Sequence, residues 1–240
     1  MSLEALQSLS DRSLLFNALR QDQLAAAGES LGDYRWEADL AAGTLTFVSN
    51  EDPTRTIVCG AQLVASIAPR PRSLKWAWSL PDTVRDDASR ELRTYGEQHG
   101  VWALTAEELP FPDDIGPDMN AWLVYLGHIV GASTVEITGR SPFYAADVGG
   151  TRAVLLLDAP IGPLTVATAL TALPRILSEY TIPDPRTAVW DLARLAGWHL
   201  DWADAEFSAA TVTDATGSAT FHFDEHARIS NIEARLGPQG

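Results

Sequence analysis

Residues 73–100 read SLKWAWSLPDTVRDDASRELRTYGEQHG, a run in which an apolar alternating segment meets a proline and then a helix-forming pattern. A period of two over Ser73–Ser79 predicts a strand with Trp76 and Trp78 on one face. Pro81 closes that strand, and a helix is expected from about residue 83 to 98. Val84, Ala88, Leu92 and Tyr95 fall on one stripe of it, and Asp82 or Thr83 is placed to accept from its first free amides. Acidic residues early in this helix and arginines later complement its dipole. An aromatic strand face followed at once by an amphipathic helix points to a sheet with a helix laid over it, the α+β class.

Upstream, YRWEADLAAGTLTFVS (34–49) carries Tyr34, Trp36, Ala38 and Leu40 on one alternation, a turn at Gly43, and Leu45 and Phe47 alternating back. This is a hairpin. Residues 56–68 form a third strand through Ile57, Cys59, Ala61, Leu63, Ala65 and Ile67, broken by Pro69 and Pro71. With Ser73–Ser79 the strands make an antiparallel meander. Residues 2–27 read as helix in two pieces around Ser10 and Asp11, because Leu14, Leu15, Ala18 and Leu19 keep helical spacing and Gly28 follows as a stop.

Downstream, AEELPFPDDIGPD (106–118) is an acidic, proline-rich connector. Asp118 then opens MNAWLVYLGHIVGAS, a helix apolar on nearly every face and therefore expected to be buried. Strands are expected at Thr134–Thr138 and Thr151–Leu157, with Gly149 and Gly150 as a hairpin turn between Phe143 and Val154. Helices follow around Leu164–Tyr180 and through RTAVWDLARLAG to Gly197, and then strands at Ala219–Phe223 and Ile229–Leu236, the last with a phase shift. The expected build is α+β: a mostly antiparallel sheet covered by helices over residues 1–158, then a strand-rich helix-plus-hairpin region over 159–240 that either extends the sheet or forms a small second lobe.

The segments RWEADLAAGTLTF, AQLVASIA, SLKWAWSLPD and RTYGEQHG together resemble an uncharacterised bacterial family, a domain of unknown function marked by a W-x-W strand followed by a helix with Y/F-G. The resemblance spans about residues 12–157. In that family the strand commonly continues W-x-W-A-N, whereas Trp78 here is followed by Ser79 and Leu80, so a polar contact made by that asparagine is not inherited. The resemblance implies a shared fold and brings no activity, cofactor or catalytic residue.

The chain has 240 residues and a formal charge of -15, from 17 basic against 32 acidic side chains. Such a field repels phosphate backbones and anionic lipid, so neither nucleic acid nor membrane is an expected partner. A local cluster of Arg70, Arg72, Lys75, Arg85, Arg90 and Arg93 precedes a run from Thr94 to Gly139 without Lys or Arg; an Asp86–Arg90 pair on a solvated helix face accounts for part of it. No apolar run reaches the roughly 18 residues needed to cross a bilayer. Cys59, the one cysteine, sits in a strand alternation and reads as a buried thiol. A cytoplasmic protein is expected. Lys75 is the only lysine, a bias toward arginine that suits a GC-rich bacterial genome.

Trp76 and Trp78, with Trp36, Trp102 and Trp122 from neighbouring elements, are candidates to line an aromatic pocket for a small apolar ligand. Tyr95 and His99 lie on the adjacent helix and extend that ligand-binding set. Glu97, His128 and Glu136 add acid–base types, with His128 expected as a hydrogen-bonded core histidine. His222 and His226 flank Asp224 and Glu225, but i and i+4 on a strand lie about 13 Å apart, so a shared zinc ion requires a sharp turn. No metal site is assigned. Phosphate-loop, nucleophile-elbow, metalloprotease and C-x-x-C signatures do not occur. The expected function is a non-catalytic binding or interaction protein, taking a small apolar ligand, or a protein through the 106–118 loop, and needing no cofactor. The alternative is a small hydrolase or isomerase using a His/carboxylate pair.

Overall fold

The computed structural model describes residues 2–80 and 87–237. Helices α1 (Ser2–Arg12) and α2 (Leu14–Glu29) open the chain. Packing divides the protein into two compact units: residues up to Ser10 with Leu24–Pro160, and Asp11–Gln23 with residues from Ile161 onward.

The first unit is built on one antiparallel sheet. Strands β1 (Tyr34–Asp39), β2 (Thr44–Ser49), β3 (Thr56–Ala68) and β4 (Ser73–Trp76) run as a meander. Helices α3 (Asp87–His99) and α4 (Trp102–Thr105) follow, then the short strand β5 (Glu108–Pro110) beside β4. Helix α5 (Met119–Thr138) leads to the hairpin β6 (Phe143–Val148) and β7 (Thr151–Asp158), and β7 returns to pair with β3. Antiparallel strands covered by helices make the protein α+β.

A bulge in β3 decides which side chains meet. Leu63 pairs with Leu155 but Ala65 pairs with Val154, so Val64 is an extra residue on β3. Up to Leu63 the odd residues share a face with Leu155, Leu157 and Tyr144. Beyond the bulge Ala65 and Ile67 share the opposite face with Val154, Leu74 and Trp76. A sequence alternation of period two runs unbroken through this point and hides the change.

The first face is the inside of a curl. Strands β2 and β6 are separated by β3 and β7, roughly 14 Å on a flat sheet. Nevertheless, the Phe47 and Tyr144 rings meet edge to face at 5.3 Å, and Trp36 of β1 meets Tyr144 at 6.5 Å. Leu45, Phe47, Cys59, Ala61, Leu63, Leu155 and Leu157 fill this interior together with Leu24 and Leu31 from the end of α2 and the loop after it. Each fully buried leucine contributes on the order of 2 kcal/mol. The other face carries α5, which approaches β6 so closely that a Cβ on Gly131 would fall inside the Phe143 ring.

Three expectations are corrected. Strand β4 ends at Trp76, and Ala77–Ser79 form a 3-10 turn, so Trp76 and Trp78 do not share a strand face. Residues 134–138 are the last turn of α5 rather than a strand. Their β-branched side chains are accommodated because the Thr134 and Thr138 hydroxyls donate to the carbonyls of Val130 and Thr134, and Gly139 closes the helix in the left-handed region. His128 lies at the protein surface, not in the core. The expected start of α3, with Asp82 or Thr83 as cap, Val84 on its stripe and the Asp86–Arg90 pair, lies outside the described residues.

In the second unit, α6 (Val166–Glu179) and α7 (Pro185–Ala196) precede a four-stranded antiparallel sheet: β8 (His199–Trp202), β9 (Ala209–Asp214), β10 (Gly217–Phe223) and β11 (Ile229–Leu236), in the order β11-β10-β9-β8. Thr165 and Thr168 form a reciprocal capping box on α6, and Asp184 caps α7. Ala210, Val212, Ala219 and Phe221 are buried. Asp191 on α7 is fully buried and accepts from Arg12 at 3.0 Å and Arg194 at 2.7 Å, which ties the N-terminal stretch to this unit. Among the described residues, no helix is long and apolar enough to cross a membrane.

Candidate functional site

Helix α3 buries Ala88, Ser89, Leu92 and Gly96. Gly96 is required there, because a Cβ would stand 2.7 Å from that of Leu104 on α4. Two contacts fix the start of the helix: Ala88 N–H donates to Gln62 Oε1 of β3 at 3.0 Å, and Ser89 Oγ accepts from the Trp78 amide at 3.2 Å. The same Gln62 oxygen lies 3.5 Å from Arg140, whose other arm reaches Glu91 at 2.7 Å.

On the outer side of α3, Asp87, Arg90, Glu91, Thr94, Tyr95 and Gln98 recur at helical spacing. With Ile137 of α5 they line a shallow, open surface groove of about 380 Å³. The Tyr95 ring is held by His99, with centroids 4.1 Å apart and planes tilted 31°. Tyr95 and Ile137 form the apolar part of the groove, and Arg90 stands on the helix between the carboxylates of Asp87 and Glu91.

The seven residues expected to bind ligand do not converge. Trp76 is fully buried and donates its indole N–H to the Ala103 carbonyl at 2.9 Å, as a core residue does. Trp78 is buried beneath Arg93, whose guanidinium carbon is 4.7 Å from the ring centre. Trp102 is 59% exposed. Trp122 packs with Phe111 and Tyr125 at the start of α5. Trp36 projects into the curled sheet, on the face opposite Trp76. Only Tyr95 lines the groove, with His99 behind it. Asp87, Arg90, Glu91, Thr94, Gln98 and Ile137 were missed as a group; the polar i, i+4 stripe on α3 is the signal that could have found the helical part.

The interior of the curled sheet is a second concavity, but Leu24 and Leu31 already fill it. At its mouth, burial and the neighbouring Tyr34 push the Tyr144 hydroxyl pKa up. Burial, with the Asp158 carboxylate adding to it, pushes the Cys59 thiol up to about 11, so it is a poor nucleophile near neutral pH.

The acid–base candidates are equally dispersed. His128 lies 5.8 Å from Phe143; although it keeps exposed atoms, withdrawal from water and the Arg152 charge lower its pKa. Glu97 pairs with Arg93 at 2.9 Å, and Glu136 is buried. In the second unit His222 Nε2 stands 3.3 Å from Glu233, and His226 Nε2 stands 3.6 Å from Glu225. The turn between them is organised by Asp224, which accepts from His226 N–H and from Arg228. Those hydrogen bonds, Arg228 foremost, hold the Asp224 carboxyl down to about 2. Among the described residues no three His, Cys, Asp or Glu side chains converge as metal ligands would.

No curated protein and no solved structure matches this chain. The profile of a family of unknown function (DUF6882) matches residues 7–160, more than half of the sequence and nearly all of the curled sheet with its helices. The chain therefore belongs to that family.

Proposed function

We propose that this protein is a non-catalytic binding protein of the cytoplasm whose ligand is a small, largely apolar molecule with an ionised or hydrogen-bonding end, seated in the α3 groove against Tyr95. The observation that carries this reading is the groove itself: an aromatic wall and Ile137 beside an arginine and two carboxylates, in a space of about 380 Å³. A flat apolar body would rest on the ring while Arg90, Asp87 or Glu91 meets its polar end. The family match covers the unit that contains the groove. A lone buried thiol accords with a reducing compartment, and the net charge of -15 disfavours nucleic acid and anionic membrane as partners.

A hydrolase or isomerase finds less support. The His199–Asp201 and His226–Glu225 pairs are open to water on both sides, and no histidine lines the groove. Catalytic pairs work in a site that limits water.

The test is a thermal-shift screen against a metabolite library, with each hit followed by amide chemical shifts. Binding that moves the α3 amides and is lost in Tyr95→Ala supports the reading. Hits that leave α3 unmoved, or that bind Tyr95→Ala unchanged, would put the ligand elsewhere. Turnover of a hit would replace binding with catalysis.

A further inference from the structure

Strand β11 ends its sheet, and among the described residues no strand pairs with its outer edge. It is eight residues long, contains neither proline nor lysine, and most of its side chains are exposed. Leu236 is 63% exposed. Edges are normally blunted by proline, charged side chains, bulges or a short run, because their unpaired N–H and C=O groups recruit another strand; a bulge at Ser230 disturbs the start of β11, and Asn231–Leu236 remains the regular part of the edge. At the opposite edge β8 is only four residues long.

We propose that β11 pairs with β11 of a second copy, antiparallel about a two-fold axis at Ala234, to join two four-stranded sheets into one. The sequence ISNIEARL supports this register over its neighbours. Residues directly opposite one another share a face, and the helix-covered faces of two copies align only when a residue sits on the axis. Centring on Glu233 sets two carboxylates opposite each other; centring on Arg235 sets two guanidiniums opposite. Centring on Ile232 puts Arg235 across from Ile229, which the bulge at Ser230 turns onto the other face of the sheet. About Ala234, Glu233 faces Arg235 of the second copy twice, and Ile232 faces Leu236 twice.

The faces agree with this pairing. Glu233 and Arg235 stand opposite Thr220 and Ser218 of β10, on the open polar face. Ile232 and Ala234 stand opposite the buried Phe221 and Ala219, on the side where α6 packs against β10. Pairing places the exposed Leu236 beside Ile232 of the other copy and sets both charge pairs across the new seam.

Sedimentation velocity of the full chain over a concentration series, at about 0.15 M salt to screen the overall negative charge, tests the pairing. The expected result is a monomer–dimer equilibrium. It is lost in Arg235→Glu, which sets carboxylates opposite one another at both positions, and is restored in the double variant E233R/R235E, which re-forms both pairs in reverse. Both positions are exposed, and circular dichroism verifies that each variant is folded. A wild-type chain that stays monomeric throughout, or a dimer that survives Arg235→Glu, would overturn the proposal.

Discussion

Arg93 lies with its guanidinium carbon 4.7 Å from the centre of the Trp78 ring while its Nε holds Glu97 at 2.9 Å. One side chain thus fastens the 3-10 turn after β4 to the body of α3. Replacing Arg93 with Ala is expected to lower stability by about 1 kcal/mol, as a half-exposed cation–π contact does. Urea denaturation followed by tryptophan fluorescence measures the loss, and Glu97→Ala is expected to lower stability by less.

Trp76 makes a different contribution, because it is buried and hydrogen-bonded at once. Trp76→Phe leaves the Ala103 carbonyl without its donor and opens a small void, and is expected to destabilise by about 2–4 kcal/mol. Trp102→Phe, at an exposed position on α4, is expected to change stability by less than about 0.5 kcal/mol. Equal effects for the two variants would contradict the placement of Trp76 in the core.

The approach of α5 to β6 depends on Gly131. Gly131→Ala drives a methyl into the Phe143 ring and is expected to destabilise by about 1–3 kcal/mol despite alanine's better helix propensity. Phe143→Leu in the same chain should recover part of that loss, because the two residues share one contact and their effects do not add. A purely additive double variant would show that the clash is relieved elsewhere.

Cys59 titrates on the alkaline side. Its folded pKa of about 11 lies above the ordinary thiol value near 8.5, so its contribution to stability is complete below about pH 8.5 and declines as pH rises through 11. At pH 8 the native thiol is protonated and buried, and alkylation is expected at the rate of unfolding, far slower than in denaturant. Rapid labelling of the folded protein would contradict this.

Asp191 joins Arg12 and Arg194 inside the second unit. Asp191→Ala removes both charge-assisted hydrogen bonds but leaves two partly exposed arginines that water can reach, so a loss of about 1–3 kcal/mol is expected. Hydrogen exchange provides the local readout, with faster exchange of the α7 amides.

Much of the build is legible in the sequence because single residues encode it. Asp118, Thr165 and Asp184 start helices by accepting from their free amides, and Gly139 and Gly197 end them with positive φ. The span of β3 follows from its alternation and the prolines beyond it. The bulge at Val64 is not legible, since an extra residue leaves the apolar pattern intact while reversing its direction. Nor are β8 and β9, whose short or threonine-rich runs resemble loop, or the helical end of α5, where β-branched residues imitate a strand. The candidate site is least visible of all: Asp87, Glu91 and Gln98 look like any solvated helix face until Ile137 closes the other side, and Trp76 and Trp78, the tryptophans that stand out in the sequence, serve the interior.

The sharing of β3 among β2, β4 and β7 constrains the order of events during folding. The early meander arises from neighbours in sequence, but the far edge of β3 has no mate until the distant β6–β7 hairpin has been synthesised. Until Leu155 reaches Leu63, a nascent chain presents a long, sticky strand margin and a half-built interior, so chaperone demand should peak before residue 158 emerges from the ribosome and fall sharply afterward.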